Sequence, residues 1–543
     1  MKQKTISLYM SILICITMNI YGTQQRILPS ASGLYESLYR LGVLQGGPPV
    51  SDSLPMSIAE IEKILSVYEG QGISKENQEL YESIIKQLEV PYYGFMITPE
   101  LYLHTSDSAV FSTDESWYHG YHDRSPIASV YGAFSFEDAI FGYAQMSANN
   151  DQFHIDTGDS TGFFSPHMRT NLIIDDSYDN FDASTPWRAY LSLGSHFWNV
   201  QVGRDLLRWG NGSTGNLVID DHMDYHEYAR FTAFDEKVKF STLAVSFDHP
   251  SSYQEDIDFS DPIHGYELFI AHRLETQIGQ RMRLSVSESI MYQGETLDLG
   301  IFNPLMFLHN LTIRGNANSL AEFSLSYTPK KGMNLYLQLV IDQLRVIGES
   351  NSDPSALGSI IGMKTITQLD AIKSFYWGIE VTYTDPYLYL RDGDEGYPID
   401  FIVGYRKQSP AAGKPVDLEY LGYEYGGDVI ALSVNAGLSS LDWGEMGITV
   451  VYLMHGCIDQ DSIWGTGESF TSIVSPSAHD PNELNKDAVE KVLSCSYEVE
   501  GKVNRYTSLH ANIDWVHSWN NQNRSDHGYE ADLQISTGIS IHI

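Results

Sequence analysis

From Val90 to Ile543 the chain keeps alternating in character with a period of two, and the alternation runs to the last residue. A β-strand turns successive side chains to opposite faces, so this pattern describes a surface with two different sides. Met333, Leu335, Leu337, Leu339 and Ile341 alternate with Asn334, Tyr336, Gln338, Val340 and Asp342. Ala321, Phe323, Leu325 and Tyr327 follow the same rule, as do Trp377, Ile379, Val381 and Tyr383. Met282, Leu284 and Val286 alternate with Arg281, Arg283, Ser285 and Ser287. At the end, Leu533, Ile535, Thr537, Ile539, Ile541 and Ile543 oppose Gln534, Ser536, Gly538, Ser540 and His542.

Two architectures produce such alternation. A soluble sandwich turns one face to its core, whereas a membrane barrel turns one face to lipid and the other to a polar lumen. The strand-like segments persist without an intervening helical block, their polar partners suit a wet lumen, and aromatic residues gather near strand ends, as in Tyr387-Leu388-Tyr389 and Trp515. Aromatics reach 12%, with 35 tyrosines, the residue suited to a bilayer interface. The reading is an all-β transmembrane barrel over residues 90 to 543. At roughly 25 residues per strand and connection, that span holds about 18 antiparallel strands. The acidic stretches Ile173 to Asp182, Asp392 to Glu395 and Ile458 to Asn485 read as loops.

The N-terminus differs. Lys2 and Lys4 precede an apolar run from Ile6 to Ile20, the form of a cleaved signal peptide, with its end placed at residue 22. Residues 23 to 89 return to a period of 3.6: Leu34, Leu38 and Leu41 share one face, Ile58, Ile61, Ile64 and Leu65 another, and Leu80, Ile84, Ile85 and Leu88 a third. Ser57 and Glu60 have capping-box spacing. A bundle this small is marginal alone and is expected to dock on something larger; the alternative is an independent helical domain. Cys15 falls in the leader, and Cys457 and Cys495 are either one disulfide or two separate thiols.

A net charge of −37, from 33 basic and 70 acidic residues, repels phosphate backbones and excludes nucleic acid as a partner. No G-x-S-x-G elbow, P-loop, H-E-x-x-H or C-x-x-C is present, so neither an enzyme nor a cofactor is expected. His222 and His226, near Asp220, Asp221 and Asp224, read as an acidic turn entering a strand rather than a metal site.

The densest glycine-polar stretch runs from Gly203 to Leu217, G-R-D-x-L-x-W-G-x-G-x-x-G-N-L. Arg, Asp, Trp and Asn together suit a sugar, by stacking on the indole and hydrogen bonds to hydroxyls; the plain alternative is a turn packed inside the barrel. This stretch resembles the signature region of the capsule-assembly Wzi family of outer-membrane proteins. Ala271-His272-Arg273-Leu274-Glu275, Ser287-Glu288 and Phe302-Asn303-Pro304-Leu305 resemble later segments of that family. The resemblance implies a monomeric 18-stranded barrel with an N-terminal helical bundle at its periplasmic side, acting as a lectin that attaches capsular or exopolysaccharide to the cell surface. It implies outer-membrane lipid, lipopolysaccharide and the barrel-assembly machinery as further partners. The candidate ligand-binding residues are Arg204, Asp205, Trp209 and Asn216, with Glu288, Asn303 and His309 behind them. Glu288 follows the lipid-facing parity of Val286, and a carboxylate there needs a strand end, a bulge or a specific pair. The terminal isoleucine and the acidic region from His455 to Val499 depart from the family pattern. The alternative function is a porin or diffusion channel, which requires an open lumen.

Overall fold

The computed structural model describes residues 24–47, 49–105, 125–150, 168–171, 181–248, 265–294, 299–303, 317–343, 355–391, 399–406, 416–458 and 486–543. The leader expected at 1–22, His309, and most of the three acidic loops lie outside them.

Eighteen antiparallel strands close into one barrel. The first, β1, runs through Tyr93–Ile97 and Glu100–His104. There follow β2 (Ala128–Phe136), β3 (Ile140–Asn150), β4 (Phe181–Ser195), β5 (Trp198–Asp205), β6 (His226–Phe234), β7 (Val238–Phe247), β8 (Tyr266–Ile278) and β9 (Met282–Gly294). The second half comprises β10 (Ala317–Lys330), β11 (Met333–Gln343), β12 (Ala356–Gln368), β13 (Lys373–Thr384), β14 (Val429–Ser440), β15 (Gly444–His455), β16 (Glu490–Asn504), β17 (Thr507–Trp519) and β18 (Tyr529–His542). Each strand pairs with its neighbours in sequence, and the seam sets Ile535 opposite Leu103 and Ile541 opposite Ile97. Ile543 exchanges both backbone hydrogen bonds with Phe95, at 2.8 and 3.1 Å. The wall is therefore left without an open edge, which is what hydrocarbon demands of a sheet.

The two faces are inverted relative to a soluble sheet. Outward-facing Ile361 is 60% exposed, Trp515 52% and Val381 46%, while inward-facing Asn334, Gln338 and Glu322 are at 0%, 4% and 4%. Burying polar groups while exposing apolar ones is stable only where the outer solvent is lipid. Among the described residues no helix is long and apolar enough to cross a membrane, so the crossing is made by strands.

Connections at one end are short, as at 196–197, 331–332 and 505–506; those at the other are long. Short turns face the periplasm in bacterial outer-membrane barrels. Three helices lie at this end: α1 (Gly33–Gln45), α2 (Ile58–Gln71) and α3 (Gln78–Gln87). Leu34, Leu38, Leu41, Ile61, Leu65, Leu80 and Ile84 form their common core, following the 3.6 period of the sequence; Ile85 alone of the expected stripe is exposed. Ser57 Oγ accepts from the Glu60 N–H at 3.3 Å, one half of the capping box. The Glu60 carboxylate instead reaches the wall and pairs with Lys239 Nζ at 2.5 Å. Arg40 of α1 pairs with Glu445 at 2.7 Å, and Gly332 N–H donates to the Val43 carbonyl at 2.9 Å. The bundle is thus docked on the barrel from several sides. Cys457 and Cys495 are not joined to each other by a disulfide.

Candidate functional site

Between β5 and β6 the chain turns into the lumen instead of outward. Arg208–Trp209 pairs there with Ser53–Leu54, a segment that has entered between α1 and α2. Gly210 N–H donates to the Asp52 carbonyl at 2.9 Å. Gly210 adopts a φ of 136°, and a Cβ at this position would lie 2.0 Å from Asn216 Oδ1, so the backbone there admits only glycine. Asn216 braces the loop internally: its Oδ1 accepts from Gly212 N–H at 3.1 Å and its Nδ2 donates to Asp220 at 2.6 Å. The loop tip caps a wall residue, since Ser213 and Thr214 N–H donate to Glu380 of β13 at 2.8 and 2.9 Å. Tyr336 of β11 donates to the same carboxylate at 2.6 Å.

Two more inward segments pack on this loop. Leu388, Tyr389, Phe401, Val403, Leu421 and Tyr423 join Leu207, Trp209, Leu217 and Ile219 in an apolar cluster against inward-facing Phe269, Met291, Val340 and Ile360. The hairpin Ile402–Arg406 with Val416–Tyr420 belongs to this plug. Burying each large apolar side chain contributes about 1.5–3 kcal/mol, so the plug is a core in its own right.

Below Trp209 lies a buried ion network. Arg273 of β8 contacts Asp52 at 2.6 Å, Glu322 of β10 at 2.5 Å and Glu275 at 3.6 Å, and its guanidinium carbon sits 5.4 Å from the Trp209 ring. Ser51 and Ser53 donate to Glu275 at 3.1 and 2.6 Å. Lys239 and Arg283 complete the set. Arg283 faces inward as its parity requires, whereas Arg281 sits in the adjoining turn, donating to the Pro329 carbonyl at 2.8 Å. Such a network adds little net stability over an apolar core but fixes one arrangement, because a lost partner leaves a buried charge.

At the outer side of the plug, His222 Nδ1 lies 3.8 Å from Asp220. Burial disfavours the imidazolium, but Asp220, Glu424 and Glu419 outweigh it and raise the pKa to about 9. His226 is separate from this pair: it is buried, and its Nδ1 accepts from Leu207 N–H at 3.2 Å. Among the described residues no cluster of His, Cys, Asp and Glu has the arrangement of a metal site.

The candidate residues divide between the two sides of the wall. Asp205, Trp209 and Asn216 come together inside. Asp205 is held bidentately by Arg188 at 2.7 Å, and Trp209 is 0% exposed, so its indole has no free face for a sugar and packs the plug instead. Arg204 shares the outward parity of Val202, stacks 3.9 Å over Tyr225 and pairs with Glu227. Arg204 and Asp205 therefore point apart rather than holding one turn jointly. Glu288 is also outward, in mid-strand, directly opposite His272 in an unbroken register. Asn303 follows the helical turn Leu299–Phe302, whose Ile301 packs on outward-facing Ile270 and Ile290.

Sequence reasoning did not single out Glu380, Gln338, Glu322 or Asp52, which receive the plug. The polar parity of β10, β11 and β13 marked the first three as inward, but nothing local marked what they meet. Along β15 to β18 the lumen is different: a cavity of about 840 Å³ is lined by Thr449, Ser494, Glu498, His510, Asp514 and Ser536 among others.

No known sequence-family profile matches the chain, and no curated protein matches it. Its fold does match solved structures. One is Wzi, an outer-membrane protein involved in group 1 capsule assembly in Escherichia coli and a carbohydrate-binding β-barrel, at a TM-score of 0.59 and 15% identity over 95% of this chain and 99% of that one. This is an outer-membrane β-barrel. The Pseudomonas aeruginosa outer-membrane protein opdK overlaps at a TM-score of 0.40 and 9% identity, covering 83% of this chain and 98% of its own. At 15% identity the likeness to the first is one of fold, and its 95% coverage takes in residues of the helical bundle as well as the barrel.

Proposed function

We propose that this barrel binds capsular or exopolysaccharide on its outer side and attaches it to the cell surface. The observation that carries the reading is the plug: inward loops and the segment after α1 fill the lumen along β6 to β14 with a fully buried core. A wide diffusion pore needs that space as water, whereas a receptor needs a rigid floor under its outer loops. The fold shared with a carbohydrate-binding barrel supports the same reading. In this reading Asp205, Trp209 and Asn216 organise the loop that presents the outer surface, Arg204 with Tyr225 sits at its rim, and glycan contacts belong to the long outer connections. Glu288, Asn303 and His309 stand as second-rank candidates. The partners are then surface polysaccharide, with outer-membrane lipid and lipopolysaccharide around the wall.

The test is binding of the refolded full-length protein to a panel of bacterial surface polysaccharides by calorimetry, alongside polysaccharide retention on cells with and without the protein. Saturable binding of at least one polysaccharide and loss of retention without the protein are expected; a folded barrel that binds none and changes nothing on cells rejects the proposal.

A further inference from the structure

The plug fills only part of the lumen. We propose that the remainder is a water-filled conduit for small hydrated cations, running up the wall formed by β15, β16, β17, β18 and β1. It is distinct from the glycan reading, because it concerns the part of the lumen beside the plug rather than the plug itself.

The first observation is extent. The cavity of about 840 Å³ touches Glu445 and Leu453 on β15, and Glu500 and Val492 on β16. Each pair is eight residues apart, which is about 26 Å of strand and, at a tilt of about 40°, about 20 Å of the ~25 Å height of a barrel's apolar band. A second cavity, of about 380 Å³, lies between the bundle and the short turns and shares Glu36, Glu445 and Glu500 with the first. Together they reach from the long-loop side of the wall to Lys373 and Lys502 at the short-turn rim.

The second observation is exposure. On β10 and β11 the inward side chains Glu322, Ser324, Asn334 and Gln338 are buried. In the short-turn half of β16 and β17 the inward positions stay open: Glu498 and Glu500 are exposed, and Ser496, Ser508, His510 and Asn512 are only half-buried, whereas Ser494 and Asp514 nearer the long loops are buried and mark the narrow part of the trough. Outward Tyr497 and Leu509 are exposed on the same strands, so this part of the wall is a single layer with lipid on one side and space on the other. Small residues such as Gly447, Thr449, Ser494 and Ser536 keep that space clear.

Charge then sets what passes. Carboxylates line the trough at several heights: Glu36, Glu100, Glu445, Glu498, Glu500 and Asp514. Arg40 and His510 within it are held by carboxylates, and Lys373 and Lys502 stand only at the short-turn rim. Arg40 pairs with both Glu36 and Glu445, at 3.0 and 2.7 Å, and His510 lies 2.7 Å from Glu100. A narrow polar passage walled by carboxylates admits cations and repels anions.

Single-channel recording of the refolded full-length protein across a KCl gradient tests this, with heat-modifiable migration confirming that every variant is folded. A small conductance is expected, with potassium favoured over chloride by about threefold or more. Glu498→Gln with Glu500→Gln and Asp514→Asn should bring that ratio toward one, and Ser496→Trp should at least halve the conductance, while outward Tyr497→Trp changes neither. Absence of conductance from a folded barrel, anion preference, or insensitivity to Ser496→Trp overturns the proposal. A second readout needs no current: in a Cys457→Ser, Cys495→Ser background, Ser496→Cys should react about tenfold faster with a cationic than with an anionic thiosulfonate reagent. Equal rates, or no reaction at all, overturn it equally.

Discussion

The side chain of Gln338, on β11, grips the loop that carries Trp209: its Nε2 donates to the Trp209 carbonyl at 3.1 Å, while its Oε1 accepts from Leu217 N–H at 3.0 Å. One wall residue thereby holds two strands of the inward loop, eight positions apart, in register with the barrel. The plug is attached by named, buried hydrogen bonds as well as by apolar packing.

Replacing Gln338 with Leu keeps the volume and removes both bonds, together with a third from Nε2 to Glu322 Oε1 at 3.0 Å. A buried carbonyl and a buried N–H are left unpaired, a loss of about 2 kcal/mol or more. Local opening of the loop should rise by roughly thirtyfold, read as faster hydrogen exchange at residues 206–225, with barrel migration in detergent unchanged.

Arg273→Met should be worse than its size suggests. It strands Asp52 and Glu322, both buried, and breaking such a network costs about 3–5 kcal/mol. Adding Asp52→Asn and Glu322→Gln should recover much of the loss in urea unfolding, since the burden is uncompensated charge rather than missing contact. A triple variant no more stable than the single one speaks against that account.

Trp209→Ala should leave a barrel that still assembles, while costing about 3–5 kcal/mol of local stability and reducing polysaccharide retention on cells. Trp209→Phe should restore most of both, because the ring acts by filling the plug. Rescue of stability without rescue of retention would instead give the indole a direct part in binding.

Ile361 and Ile360 are neighbours on β12 with opposite surroundings, the first 60% exposed and the second 0%. Ile361→Arg places a charge against lipid and should cost about 2–4 kcal/mol near mid-membrane, seen as poor insertion into vesicles. Ile361→Leu should insert normally.

The His222–Asp220 pair gives the plug a pH dependence. The folded-state pKa of His222 is raised to about 9, above the unfolded value of about 6.5, so its contribution is complete below about pH 6.5. It fades as pH rises through 9. Proteolysis within residues 206–225 should accelerate between pH 7 and 10 in the wild type and show a flatter profile in His222→Gln.

The wall was legible because its cause is local. Alternation at Met333–Ile341 and Leu533–Ile543 fixed which side chains meet lipid, and dividing the length by a strand and its connection gave the strand number. The helices were legible for the same reason, through Leu34, Leu38 and Leu41. The plug was not, because the Gly203–Leu217 stretch looks alike whether it turns to solvent or to the lumen. Its direction depends on Asp52, Gln338 and Glu380, each far away in sequence. Parity did assign Arg204 and Asp205 to opposite faces, yet their adjacency invited a shared role that a strand forbids. The open trough was half visible: His510, Asn512 and Asp514 marked an inward polar row, but the sequence does not say whether such a row meets protein or water.

The seam between Phe95 and Ile543 has a consequence for assembly. It joins the strand that leaves the helices to the strand made last, so the cylinder stays a sheet until both have arrived. Ser51, Asp52 and Trp209 lie buried inside that cylinder. Filling and sealing should then proceed together: a chain whose whole plug fails to seat should stall as an unsealed sheet, whereas a single cavity such as that of Trp209→Ala leaves closure intact.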